Sequence, residues 1–129
     1  MARVVLDSGA VIGWSRRDPE ARAFIRRAVE HRDLIVVPAV VVVETTRGGA
    51  RDAPVNQVLK SVNLITPVTE ITARMAGRLL AGVGPQDATV DALVAAEAVT
   101  GTVAMVLTSD VEDMSSLLVE HRHIKVYGV

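Results

Sequence analysis

The amino-acid sequence predicts a parallel α/β fold, with a central, mainly parallel sheet of four or five strands flanked by helices. Three observations predict it. Short apolar runs alternate with longer stretches whose apolar residues recur at helical spacing. The run at residues 102–107 is apolar almost throughout, as a strand covered on both faces is. The first run, Val4-Val5-Leu6, stops abruptly at Asp7-Ser8-Gly9, a carboxylate and two small residues where the chain turns out of a core. In open α/β sheets that position, outside the carboxyl ends of the strands, is where ligands bind.

The first strand is followed by a short helix over 8–17, with Val11, Ile12 and Trp14 as its apolar residues. Asp18-Pro19-Glu20 starts the next helix: a capping carboxylate, proline at the first position and acid in the first turn. Ala21, Phe24, Ile25, Ala28 and Val29 give it one buried face, and the arginines fall mostly on the other side. Residues 34–37 form the second strand, ended by Pro38. For residues 39–49 four valines favour a strand, whereas Pro38 before them and Gly48-Gly49 after them suit a helix. A strand continuing past a proline is poor geometry, so a helix is expected. A further helix spans about 52–62, with Val55, Val58, Leu59 and Val62 on one face, and residues 63–66 make a short strand stopped by Pro67. Thr69 begins a helix on which Ile71, Met75 and Leu79 line up, ending at Gly82-Val83-Gly84-Pro85. That glycine pair lacks the preceding strand and third glycine of a dinucleotide loop, and reads as a helix end. Gln86 and Asp87 lead into a helix over 88–100, the strand at 102–107 follows, and a last helix (111–121) and strand (124–127) complete the chain.

Half of the 129 residues are apolar and 22% are charged, the balance of one globular domain over residues 1–129 rather than of a disordered chain. The absence of cysteine excludes disulfides, thiolate nucleophiles and cysteine-ligated zinc. The first strand begins by Val4, which leaves no room for a signal peptide, and the longest apolar run, 34–43, is too short for a membrane span and is broken by Pro38. A soluble, cytoplasmic protein with no membrane partner is expected. The net charge of −1 hides a local excess of arginine, at positions 16, 17, 22, 26, 27 and 32. Such a helix face is more often solvated than a nucleic-acid track. One Trp, one Phe and one Tyr cannot build a series of base-stacking platforms, so any nucleic acid would be held by its phosphates.

Four carboxylates stand out. Asp7 and Asp110 sit at carboxyl ends of strands; Glu44 follows four valines, and Asp91 interrupts the Ala-rich helix Ala88-Thr89-Val90-Asp91-Ala92-Leu93-Val94-Ala95-Ala96. Acids among residues this apolar are seldom buried without a partner, and from 90 onward the only basic side chains besides histidine are Arg122 and Lys125. Unpaired acids brought together repel by about 4 kcal/mol per pair at 4 Å and an effective dielectric near 20. A divalent cation resolves that, and Mg²⁺ or Mn²⁺ suits all-oxygen ligation, using one or two carboxylates directly and keeping several waters. Each acid also has a purely structural role open to it. Asp7 can cap the helix it precedes, Asp91 can complement a helix dipole, and Glu44 can be an exposed residue at a helix end. Ser109-Asp110-Val111-Glu112 is in turn a capping box, with Ser109 at the N-cap. His121 and His123, two apart, share no helical face and read as surface residues.

The four blocks together are more telling than any one. Val5-Leu6-Asp7-Ser8, Val43-Glu44 before Arg47-Gly48, Val90-Asp91-Ala92-Leu93-Val94-Ala95-Ala96, and Leu107-Thr108-Ser109-Asp110 with Asp113 three residues on occur in this order over nearly the whole chain. In this the sequence resembles the PIN domain of ribonucleases, and most closely the VapC-type toxins. The resemblance implies a PIN-like three-layer fold whose sheet edge gathers Asp7, Glu44, Asp91 and Asp110 as the catalytic carboxylates. Asp7, Asp91 and Asp110 would be metal ligands, Ser8 and Thr108 auxiliary hydroxyls, and Asp113 a further, outer acid. It implies an Mg²⁺-dependent endoribonuclease, with Mn²⁺ able to substitute, that is a homodimer inhibited by a VapB-type antitoxin. Gly9 departs from the family, which commonly has a second hydroxyl residue there, and Met114 stands where an aromatic is frequent. A PIN fold that binds RNA or a protein without chemistry is the alternative, although all four acids are present. A phospho-acceptor receiver domain is a weaker reading, because it needs a lysine at the end of a late strand, and Lys125 lies within or at the start of the last one.

Overall fold

The structure is a computed structural model that describes residues 2–83, 87–103 and 105–129. Five strands, β1 (Arg3–Leu6), β2 (Leu34–Pro38), β3 (Leu64–Thr66), β4 (Met105–Thr108) and β5 (Lys125–Gly128), form one sheet in the order β3-β2-β1-β4-β5. Every pairing is parallel. Seven helices connect them among the described residues: α1 (Ser8–Ser15), α2 (Pro19–Glu30), α3 (Ala39–Thr45), α4 (Ala53–Ser61), α5 (Glu70–Val83), α6 (Thr89–Thr100) and α7 (Val111–Leu117), with a 3₁₀ turn at Ala50–Asp52.

The α/β expectation is met, and its apolar runs are the core. Val4, Val5, Leu6, Ile35, Val36, Val37, Val106 and Leu107 are all buried in the three central strands. The chain builds outward from β1 to β2 and β3, then returns to the other side of β1 with β4 and β5. The strand order therefore reverses between β1 and β4, the switch point at which ligand crevices open in such sheets. The register Leu6↔Leu107 puts the end of β1 beside the end of β4, and the amide of Asp7 extends the pairing by donating to the Leu107 carbonyl at 3.1 Å.

Local expectations hold with a few shifts. Asp18 caps α2, accepting from the Glu20 amide, with Pro19 at the first position. Residues 39–45 are helical, as Pro38 and the glycine pair require. On α5 the buried residues are Thr72, Ala76 and Leu79, while Ile71 is 72% exposed. The fourth strand begins at Met105 rather than at 102, because Gly101 and Thr102 form a turn that closes α6, with Thr102 at φ 52° and the Val103 amide bonded to the Ala98 carbonyl. Helix α7 ends at Leu117, four residues before the expected end, and its N-cap is Asp110 rather than Ser109. The expected helix end at Gly84-Pro85, Gln86 after it, and Ala104 lie outside the described residues. Among the described residues no helix is long and apolar enough to cross a membrane.

Candidate active site

Asp7 follows β1 at the switch point and is 5% exposed. Its Oδ1 accepts the Ala10 amide at 2.9 Å, which caps α1, and its Oδ2 accepts the hydroxyl of Thr108. Thr108, fully buried at the end of β4, also accepts the Asp110 amide at 2.9 Å on the same oxygen. One hydroxyl thus ties the first carboxylate to the backbone of the fourth. Asp110 caps α7 through the Asp113 amide at 3.1 Å, and both of these acids are exposed. Glu44, at the exposed end of α3, accepts the hydroxyl of Ser8 from the first turn of α1. Asp91 lies in the first turn of α6 and is half-buried.

The electrostatics join these residues into one group. Burial raises the pKa of Asp91 most, and the charges of Asp7, Glu44, Asp110 and Asp113 each raise it further. Burial also raises the pKa of Asp7, against the lowering effect of the Thr108 hydroxyl and of the Ala10, Ser109 and Gly9 amides. Asp113 is raised by its hydrogen bond to Asp110 and by the repulsion between the two. Among the described residues the one ion pair is Arg74–Glu70, so none of the five acids has a cationic partner.

Such an all-oxygen, uncompensated donor set fits a hard divalent cation. It is not a closed cage, since among the described residues no three acidic or histidine side chains are placed to hold one ion together. Mg²⁺ commonly binds through one or two carboxylates and several waters, which is compatible with an open arrangement.

All seven residues singled out from the sequence fall at this edge: Asp7, Ser8, Glu44, Asp91, Thr108, Asp110 and Asp113. Glu97 is buried near the far end of α6, and His121 and His123 pack against each other away from the acids. The Ser8–Glu44 link was not legible, because it joins residues 36 apart across two helices. Gly9 has a spatial reason. A Cβ there would stand 1.9 Å from Ser109 Oγ and 2.4 Å from Ser109 Cβ, so the first turn of α1 approaches the end of β4 only as glycine.

A parallel sheet with carboxylates around its switch point defines an α/β domain with an acidic site at its carboxyl edge. Residues 4–115 match the PIN domain, and the chain belongs to that family. Its fold is also that of solved structures of low sequence identity. The VapBC2 complex of Rickettsia felis, bound to a DNA fragment from its promoter, is 11% identical with a TM-score of 0.77, over 98% of each chain. FitAcB of Neisseria gonorrhoeae is 17% identical with a TM-score of 0.68, over 97% of this chain and 96% of that one. VapBC-5 of Mycobacterium tuberculosis, of the VapBC family of toxin–antitoxin systems, is 22% identical with a TM-score of 0.62, over the whole of both chains. The comparison with curated proteins gives no match.

Proposed function

We propose that this chain is an Mg²⁺-dependent endoribonuclease, with Mn²⁺ able to substitute, acting in the cytoplasm as the toxin of a VapBC-type pair. The observation that carries the reading is the convergence on Asp91: four other carboxylates raise its pKa, and none of the five has a basic partner among the described residues. In this reading Asp7, Asp91 and Asp110 hold the metal, one or two of them directly and the rest through its waters, Glu44 is the fourth catalytic carboxylate, and Ser8, Thr108 and Asp113 are auxiliary. When bound, the cation supplies an activated water and neutralises charge on the phosphate under attack. The protein's own part is positional. Thr108 fixes Oδ2 of Asp7, the α1 amide fixes Oδ1, and Ser8 holds Glu44 toward the same edge.

The toxin role and a VapB-type partner rest on family membership and on the likeness to VapBC and FitAcB structures. A homodimer belongs to the same reading. Edge strand β3 and the segment after it expose Leu64, Ile65, Val68 and Ile71 together, a run that a second copy would cover. The test is cleavage of single-stranded or structured RNA by the purified protein with Mg²⁺ or Mn²⁺, and its loss in Asp7→Asn. Undiminished cleavage by that variant overturns the reading. Calorimetry that detects no divalent-metal binding supports a silent PIN module in its place.

A further inference from the structure

Arginines 17 and 22, in the part of the chain whose arginine excess the acidic site does not use, meet in one place. A cavity of about 720 Å³ opens between α1, α2 and α4, with Trp14, Ser15, Arg17, Arg22, Gln57 and Ser61 among the residues that line it. No carboxylate is among these residues. Neither guanidinium has an ion-pair partner among the described residues, where Arg74–Glu70 is the one such pair. Arg17, next after the Arg16 C-cap of α1, holds a left-handed backbone, φ 59°. Glycine or asparagine fills that conformation with less strain, so a long cationic side chain is an expensive choice there.

The position of the cavity relative to the acids is fixed by helix geometry. Ser8, whose hydroxyl reaches Glu44, and Ser15, which lines the cavity, are seven residues apart on α1. Seven residues are two turns, which puts the two on the same face, about 11 Å apart along the axis. Helix α3, carrying Glu44, and helix α4, carrying Gln57 and Ser61, both pack against α1. One flank of α1 therefore runs from an acidic end to a basic, aromatic end. That separation is roughly three nucleotides of a stacked single strand at ~3.4 Å each, and an indole beside two guanidinia is the chemistry that receives a base and its phosphate.

We propose that the cavity lined by Trp14, Arg17 and Arg22 is a nucleotide subsite for single-stranded RNA, two to three nucleotides from the bond cut at the acidic site. A base stacks on Trp14, a flanking phosphate lies between Arg17 and Arg22, and Gln57 and Ser61 face the base edge. Placing the cut at the acids rests on the function proposed above; occupation of the cavity by RNA does not.

Trp14 is the only tryptophan, so its fluorescence reports the cavity directly. A ten-nucleotide oligouridylate, added in EDTA so that no metal-dependent cleavage competes, is expected to quench that fluorescence. The double variant Arg17→Gln/Arg22→Gln, altered only at exposed side chains, is expected to weaken the quench about tenfold or more. It should also lower the salt slope of binding by about one per arginine. In cleavage assays the same variant should raise KM for the long RNA and leave both kcat and cleavage of a dinucleotide unchanged. Quenching without any cleavage keeps the subsite and removes the nuclease reading. Cleavage with neither a quench nor a change in KM overturns the subsite and leaves the nuclease. Quenching by a purified antitoxin but not by RNA also overturns it, and assigns the cavity to a protein partner.

Discussion

Asp7 and Asp110 end neighbouring strands and each caps the helix that follows, yet their surroundings are opposite. Asp7 is buried, with a hydroxyl and backbone amides directed at its carboxylate. Asp110 is exposed, bonded to the Asp113 amide, and crowded by the Asp113 carboxylate. The difference shows that capping and site-building are not alternatives. Asp7 uses one oxygen to start α1 and aligns the other with Thr108, so the helix cap is what orients the carboxylate. In the proposed function the buried half of the candidate site is held in place by these bonds, and the exposed half would adjust around an ion.

The largest effect should separate these halves. Asp7→Asn is expected to reduce cleavage by more than about 100-fold, beyond what loss of an outer partner costs. Asp110→Asn should lose less, because Glu44, Asp91 and Asp113 remain nearby. Single-turnover rates at saturating Mg²⁺ measure both, and equal losses would remove the distinction between a fixed and an adjustable half. Next is Thr108→Val, which keeps the shape and removes the hydroxyl shared by the two acids. It should cost about 10–100-fold in metal affinity or activity, and leave the part-buried Asp110 amide unpaired at about 1–3 kcal/mol of stability. Calorimetric metal titration and denaturant unfolding check the two parts separately.

A smaller effect depends on pH. Burial and four like charges raise the Asp91 pKa above its ordinary value of 3.8. A carboxyl raised in the folded state contributes stability that is full below the unfolded pKa and is lost as pH rises through the folded one. Without metal, Asp91→Asn should therefore melt higher than wild type at pH 7, by about a few °C, and the gap should close toward pH 4. Saturating Mg²⁺ should reverse the order, since wild type gains from binding by mass action. Thermal melts in EDTA and in Mg²⁺ at both pH values give the answer, and a variant less stable than wild type at pH 7 in EDTA contradicts it.

How much of this was legible follows from the range of each interaction. The ends of β1 and β4, and hence Asp7 and Asp110, were visible because both-face burial leaves an apolar run with a sharp stop. The order Asp7, Glu44, Asp91, Asp110 along the sequence points to the same candidate site as their placement in the fold. The inward face of α5 is legible only in part: Leu79 is buried and Met75 half-buried as expected, but the large Ile71 turns outward and Thr72 and Ala76 inward. The neighbouring α6 presents Ala92, Ala95 and Ala96 buried, and two helices with small residues at their contact approach closely in a way that apolar periodicity does not register. The shift of the α7 cap from Ser109 to Asp110 has the same tertiary origin. Ser109 lies against Gly9 of α1, and the Thr108 hydroxyl takes the Asp110 amide.

The smallest effect tests the outermost acid. Asp113 is fully on the surface of the exposed half, and its pKa is raised first by the hydrogen bond with Asp110 and then by their repulsion. Its backbone amide, not its side chain, completes the cap on Asp110. Asp113→Asn therefore keeps the cap, and removes one like charge beside Asp110 together with the carboxyl side of their side-chain hydrogen bond. Solvent screens that charge, so the unfolding midpoint should stay close to that of wild type, as for other surface substitutions, and cleavage at saturating Mg²⁺ should change by less than about threefold. Loss of the like charge should weaken Mg²⁺ binding slightly, and the difference should shrink as salt is raised. A loss of cleavage as deep as that of Asp7→Asn would instead make Asp113 a direct ligand and extend the metal site into its exposed half.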